Sequence, residues 1–217
     1  MKNKCKCLVL LASVIIVCLA FVSCAKKNVT QEAEINEYKE SIESAWEIAE
    51  SYNELVLNGD FKAQLEFLDN ESKLYKKIKN INYAEALSMF GFDRATSLQI
   101  SEDDMKKIYD AVMKKTKIEI EDVKINADRT KTVAEVTFVG PNYKSIKPDN
   151  LISEFLNEKG IHESELSYVS YERYEELAKE YANWIIDKKL ASLKSITTKK
   201  DYDMKEKNGK WFICEIE

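Results

Sequence analysis

Cysteine, glycine, proline and histidine are all scarce in this chain, and each shortage removes a class of answer. The 217 residues include five glycines, two prolines, five cysteines and one histidine. So little glycine and proline excludes a collagen-like or low-complexity body and favours helix-rich structure. Cys5, Cys7 and Cys18 fall within the first 23 residues, Cys24 follows directly, and only Cys214 lies in the body. Loss of the first 23 residues, with Cys24 itself modified, would leave Cys214 no partner for an intrachain disulfide. One histidine and one body cysteine also exclude a His- or Cys-rich zinc site, and no metal or cofactor is expected. Positive charge is not concentrated anywhere: 33 Lys and Arg stand against 38 Asp and Glu, a net charge of −5. The two signs interleave as they do on solvated helix faces. Nucleic acid and anionic lipid headgroups are therefore not expected partners.

What is present is concentrated at the N-terminus. Lys2, Lys4 and Lys6 precede an apolar run from Leu8 to Val22, the layout of a secretory signal. The run ends in Phe21, Val22, Ser23 and Cys24. This end resembles the lipobox of bacterial lipoproteins, although Phe21 stands where leucine is usual. A cysteine suits that place because its thiolate is a strong nucleophile and can take up a diacylglyceryl group as a thioether. Small Ser23 lets a signal peptidase close on the bond before Cys24, whereas Cys18 follows bulky Val17. The resemblance implies a signal peptide over 1–23, a lipidated tether over 24–31 and one domain over 32–217. It also implies a place on the extracytoplasmic face of the cell membrane, or on an outer membrane where one exists. At least two acyl chains would hold it there, enough for stable anchoring. The alternative is an uncleaved anchor: Leu8 to Ala25 is about 18 residues, near the lower limit for spanning a bilayer. Loss of 1–23 leaves 30 basic and 38 acidic residues, in a length that suits a single domain with its own core.

The body reads as α+β. An amphipathic helix is expected from Glu32 to Leu57, with Ile35, Tyr38, Ile42, Ala45, Trp46, Ala49 and Val56 spaced three and four apart. Asn58-Gly59 ends it, and Asp60 caps a second helix carrying Phe61, Leu65 and Leu68. Leu74 to Phe90 reads as helical and Gly91 to Ile100 as a loop. Ser101 and Asp104 form a capping pair before a helix to about Lys115. The period then switches to two. Ile118 and Ile120, then Val123 and Ile125, alternate around a slip that predicts a bulge near Glu121-Asp122. A turn at Ala127-Asp128-Arg129 leads to a strand offering Val133, Val136, Phe138 and Val139 to the core. After Pro148 a helix buries Leu151, Ile152, Phe155 and Leu156 and stops at Gly160. A long helix is expected from Ser164 to Leu193, then a hairpin over 195–217 whose Asn208-Gly209 tip is the strongest turn signal present. The architecture is thus N-terminal helices and an antiparallel sheet of two hairpins, about 117–140 and 195–217, with a long helix between.

Leu57 to Phe61, Thr132 to Tyr143 and the closing KEKNGKWFICEI resemble uncharacterised bacterial lipoproteins with a nuclear transport factor 2-like, or cystatin-like, domain. The resemblance implies a curved sheet wrapped on helices as a cone with a pocket. Some members of that fold are pocket enzymes of the isomerase type, but no residue here can be matched to their catalytic positions.

No catalytic residue is assigned. His162 sits in GIHES between two helices, where a solvated surface histidine is expected. Ser101 to Asp104 reads as a helix start, since the loop spacing of a calcium hand is absent. Cys214, in WFICEI, is expected in the core. Tyr168, Tyr171, Tyr174, Tyr181 and Trp184 crowd one helix, and the last four recur near one face; they suit core packing or a ligand or partner surface. The expected function is a non-enzymatic envelope lipoprotein that binds a small apolar ligand or a protein. The competing readings are a structural, host-facing surface lipoprotein without a pocket, and a small isomerase- or hydrolase-type enzyme, which needs convergent acids or His162 buried with them.

Overall fold

A computed structural model describes residues 34–90, 92, 98–146 and 148–217, with the side chains of 148–150 excluded. The leader, Cys24 and the tether lie outside these residues, as do Gly91 and 93–97 of the expected loop. No described helix is long and apolar enough to cross a membrane. By contact the chain divides into two units, Met1–Glu43 and Ser44–Glu217. The first is represented only by helical residues 34–43.

The chain is α+β, as its patterning predicts. Helix α1 covers 34–58. Short helices α2 (Phe61–Gln64), α3 (Lys73–Ile78) and α4 (Tyr83–Met89) precede α5 (Glu102–Met113). Strands β1 (Lys117–Ile125) and β2 (Lys131–Pro141) form the first hairpin; α6 (Pro148–Lys159) and α7 (Tyr171–Trp184) intervene; β3 (Ser195–Lys207) and β4 (Lys210–Ile216) form the second. The two hairpins join through β2 and β3 into one antiparallel sheet of order β1-β2-β3-β4.

Local chemistry fixes the boundaries. Asp60, Ser72, Asn82, Ser101 and Ser170 each accept a backbone N–H in the first turn of the helix that follows, satisfying donors that a helix start leaves open. The bulge falls between Ile120 and Asp122. Asn208 and Gly209 both have positive φ, 56° and 80°, as a type I′ hairpin turn requires.

Gly59 and Gly160 end α1 and α6 with the same device. The Asp60 N–H donates to Leu55 O at 3.0 Å and the Gly59 N–H to Val56 O at 3.2 Å; the Ile161 and Gly160 N–H groups do likewise to Leu156 O and Asn157 O. Both glycines are left-handed, φ +67° and +69°. Only Gly59 is also crowded: a Cβ there would lie 2.9 Å from Tyr109 Cε1. Tyr109 cannot easily yield, since its hydroxyl donates to Val56 O at 2.6 Å. Gly160→Ala is therefore expected to cost about 1 kcal/mol, the left-handed penalty alone. Gly59→Ala should cost about 2 kcal/mol, clash included. Equal urea midpoints for the two variants would overturn this reading.

Two apolar groupings result. On the sheet, Ala134, Val136, Tyr202, Met204, Trp211 and Ile213 are buried. In α1, Ala45, Ala49 and Tyr52 are buried, and the Tyr52 ring meets Tyr202 edge-on at 5.8 Å. Buried Asn53 accepts from the Tyr202 hydroxyl at 2.7 Å. The second grouping is helical and unites α4, α5, α6 and α7 around Ile108, Phe155, Leu177 and Ile185.

Three expectations need correction. The continuous helix from Ser164 to Leu193 is broken. A 3₁₀ stretch (Glu163–Tyr168) ends at extended Val169, Ser170 starts α7 afresh, and α7 widens into a π-helical stretch at Ile185–Leu190. Of the four apolar residues expected inward on β2, Val136 is buried and Phe138 shares its face half-buried. Val133 and Val139 lie on the opposite face, with Thr132 and Ala134 completing the inner row because the side-chain period is two. Cys214 is half-buried rather than in the core, since Trp211 and Ile213 take the inner face of β4.

Candidate functional site

The helical layer borders a partly open cavity of about 410 Å³. Helix α4 supplies Ala84 and Leu87; the segment after it supplies Phe92, Leu98 and Ile100. Helix α5 contributes Met105 and Ile108, and α7 contributes Tyr181 and Ile185. The remaining lining groups are two amide side chains, Asn82 and Gln99. Among the described residues, no carboxylate, lysine, arginine or histidine lines it. Such a volume lies at the low end of small-molecule sites, and an apolar wall with a few polar groups is their usual make-up.

Each wall has a local cause. Asn82 is at the rim because it caps α4, its Oδ1 accepting from Glu85 N at 2.9 Å. Gln99 is held by its backbone N–H, which donates to the Tyr174 hydroxyl at 3.1 Å. Ser101 starts α5 two residues on and so aims Met105 and Ile108 along one face. Ile185 lies where α7 changes from α to π winding, a distortion that often accompanies functional sites. The Tyr181 phenol is pushed well above its ordinary value by burial, with the charge of Glu154 adding to the effect. It therefore stays a neutral hydroxyl.

The four aromatic residues singled out in the sequence do not share a surface. Tyr181 and Trp184 are buried and stack at 6.0 Å, with Phe155 edge-on to both. Tyr174 is half-buried and spends its hydroxyl on Gln99. Tyr171 is 75% exposed and Tyr168, expected on the same helix, 88%. Only Tyr181 reaches the cavity. His162 is exposed and caps the 3₁₀ stretch, with Glu165 bonding back to its N–H.

A second feature escaped the sequence reading. Asp69 is buried at 5% exposure. Its Oδ1 accepts from Lys207 Nζ at 2.7 Å and from Glu71 N at 3.1 Å, and its Oδ2 lies 3.7 Å from the Cys214 thiol. Desolvation raises the Asp69 carboxyl, but these bonds together outweigh it and hold the group below its ordinary 3.8. The Cys214 thiol is pushed up, first by burial and then by Asp69, which keeps it protonated and unreactive. On the sheet's outer face, Asp203, Glu215 and Glu217 bring carboxylate oxygens within 4.8 Å of one another. Both glutamates are exposed, and water screens such repulsion.

No protein-family profile matches this chain, and neither a curated protein nor a solved structure matches it.

Proposed function

We propose that the chain is a membrane-anchored extracytoplasmic lipoprotein of the cell envelope whose domain is a non-enzymatic binding module for a small apolar ligand. The cavity between α4, α5 and α7 carries the reading: among the described residues its lining is mostly apolar, without the convergent acids or histidine that an isomerase- or hydrolase-type site needs. The export reading rests on the leader, with Cys24 as lipid acceptor and Ser23 before the cleaved bond. A cone-like, nuclear transport factor 2-like arrangement is part of the same proposal. The bulged antiparallel sheet with Tyr52 and Asn53 of α1 laid on Tyr202 supports it. A protein partner is the second reading, favoured by the exposed rings of Tyr168 and Tyr171, since aromatic residues with polar tips are enriched at interfaces.

Intact mass and membrane partitioning of the exported protein, beside Cys24→Ala, test the anchor. The expected result is loss of residues 1–23 with a lipid-sized mass gain, and release of the variant from the membrane or its retention as unprocessed precursor. A full-length, unlipidated mass with unchanged partitioning sinks the lipoprotein reading and leaves the leader as a transmembrane helix.

A further inference from the structure

We infer that a groove between α3 and β4 binds a small zwitterion, a short peptide with free amino and carboxylate ends, by meeting its two charges on opposite walls. The groove has a volume of about 440 Å³ and shares no lining residue with the helical-layer cavity. Lys73, Leu74 and Lys77 stand on its α3 wall and Glu215 and Ile216 on its β4 wall, with Lys205 of β3 completing the set. The volume is that of a small-molecule site.

Opposite charges line this groove without closing on each other. Lys207 takes up both Asp69 and Glu71, at 2.7 and 3.1 Å. Lys73, Lys77, Lys205 and Glu215 form no ion pair with any described residue. The main chain fixes the walls: the Asp69 N–H donates to Ile213 O at 2.9 Å, and Ser72 caps α3 by accepting from Tyr75 N at 3.0 Å. Lys73 and Lys77 are like charges one turn apart, which helix stability alone does not favour. Asp203 stands directly across from Glu215 in the sheet, which sheet stability alone does not favour either. With Glu217, these carboxylates bring oxygens within 4.8 Å of one another and make that side negative. A guest with one charge is drawn to one wall and repelled by the other. A zwitterion is drawn to both, its carboxylate to the lysines and its ammonium to Glu215, through charge-assisted hydrogen bonds. Half-buried Leu74 and Ile216 offer apolar surface to the part between.

Equilibrium dialysis of tritiated leucyl-leucine at neutral pH against the full chain, purified from membranes in an uncharged detergent, tests this. Saturable binding is expected. Unlabelled N-acetyl-leucyl-leucine lacks the ammonium and leucyl-leucinamide the carboxylate. Each should compete about tenfold less well than the parent, the ratio that loss of one charged hydrogen bond gives. Glu215→Gln should bind the parent severalfold more weakly and no longer distinguish it from the acetylated peptide. The double variant Lys73→Gln, Lys77→Gln should likewise lose the distinction between parent and amide. All three positions are exposed, so the fold is left alone. Equal competition by the three peptides, or wild-type preferences in either variant, overturns the two-wall recognition of a zwitterion. Absence of saturable binding overturns the groove as a site.

Discussion

Replacing Phe155 with alanine is expected to destabilise the domain by about 3–5 kcal/mol, the usual cost of emptying a fully buried aromatic site. Phe155 is 0% exposed. Its ring meets Tyr181 at 5.3 Å and Trp184 at 5.8 Å, both edge-on. Edge-on pairs add about 0.5–1.5 kcal/mol beyond area burial. The side chain also joins two helices: α6 is held on α7 and its π-helical extension by this contact, by Leu151 and Leu156, and by the solvent-facing pairs of Lys159 with Glu180, Glu154 with Lys189 and Glu158 with Lys188. Exposed pairs contribute about 0–1 kcal/mol and cannot replace the ring. At about 2–4 °C per kcal/mol for a domain of this size, the thermal midpoint should fall by roughly 10 °C. Phe155→Leu, which keeps most of the volume, should lose much less. A midpoint shift in Phe155→Ala of only a degree or two would mean that α6 is not packed as described. The consequence reaches the cavity, because Phe155 backs the Tyr181 ring that forms part of its wall.

Features governed by a few neighbouring residues were legible in the sequence. Asp60, Ser101, Gly59, Gly160 and Asn208-Gly209 announce their roles because a cap or tight turn needs a particular side chain or a positive φ within one turn of the chain. The bulge at Ile120/Asp122 was legible because it shifts a period-two pattern by one. The break before α7 was not. Apolar spacing from Leu166 to Ile185 runs straight through Val169 and Ser170, and only the Ser170 hydroxyl capping Arg173 N reveals a new start. The β2–β3 pairing joins residues more than fifty apart throughout, from Pro141 with Ser195 to Lys131 with Lys205, and no local signal encodes it. Of the candidate site, Tyr181 alone was anticipated. Asn82 and Gln99 carry no motif, and a cavity is a property of four segments at once. Asp69 was missed because an aspartate in LDNES reads as a solvated turn until Lys207 and Cys214 are brought to it from the far hairpin.

That aspartate leads to a stability difference that should vanish in acid. Asp69→Asn is expected to cost about 2–3 kcal/mol at neutral pH, the loss of a hydrogen bond to a charged group from a buried site. The amide keeps the shape and can still accept from Glu71 N, so the loss falls mainly on the charged bond to Lys207. The staple matters because the Asp69 N–H also donates to Ile213 O at 2.9 Å. The segment after α2 is thereby tied to both strands of the second hairpin. The sign is set by the direction of each shift. Asp69 lies below its ordinary 3.8 in the folded protein, despite a desolvation effect that alone would raise it. Its stabilisation is therefore complete above 3.8 and is lost as pH falls through the lower, folded value. Lys207 lies above its ordinary 10.5, chiefly through the bond it donates to Asp69 and next through the one to Glu71. Its share is present below 10.5 and fades as pH rises through the raised value. Urea denaturation of wild type and Asp69→Asn across pH should thus give a gap that is flat from about 5 to 9 and closes at both ends. Closure in acid is the sharper test, because a protonated Asp69 and an asparagine offer Lys207 nearly the same neutral oxygen. A gap of unchanged size below pH 3 would assign the loss to packing around the Asp69 side chain rather than to its charge.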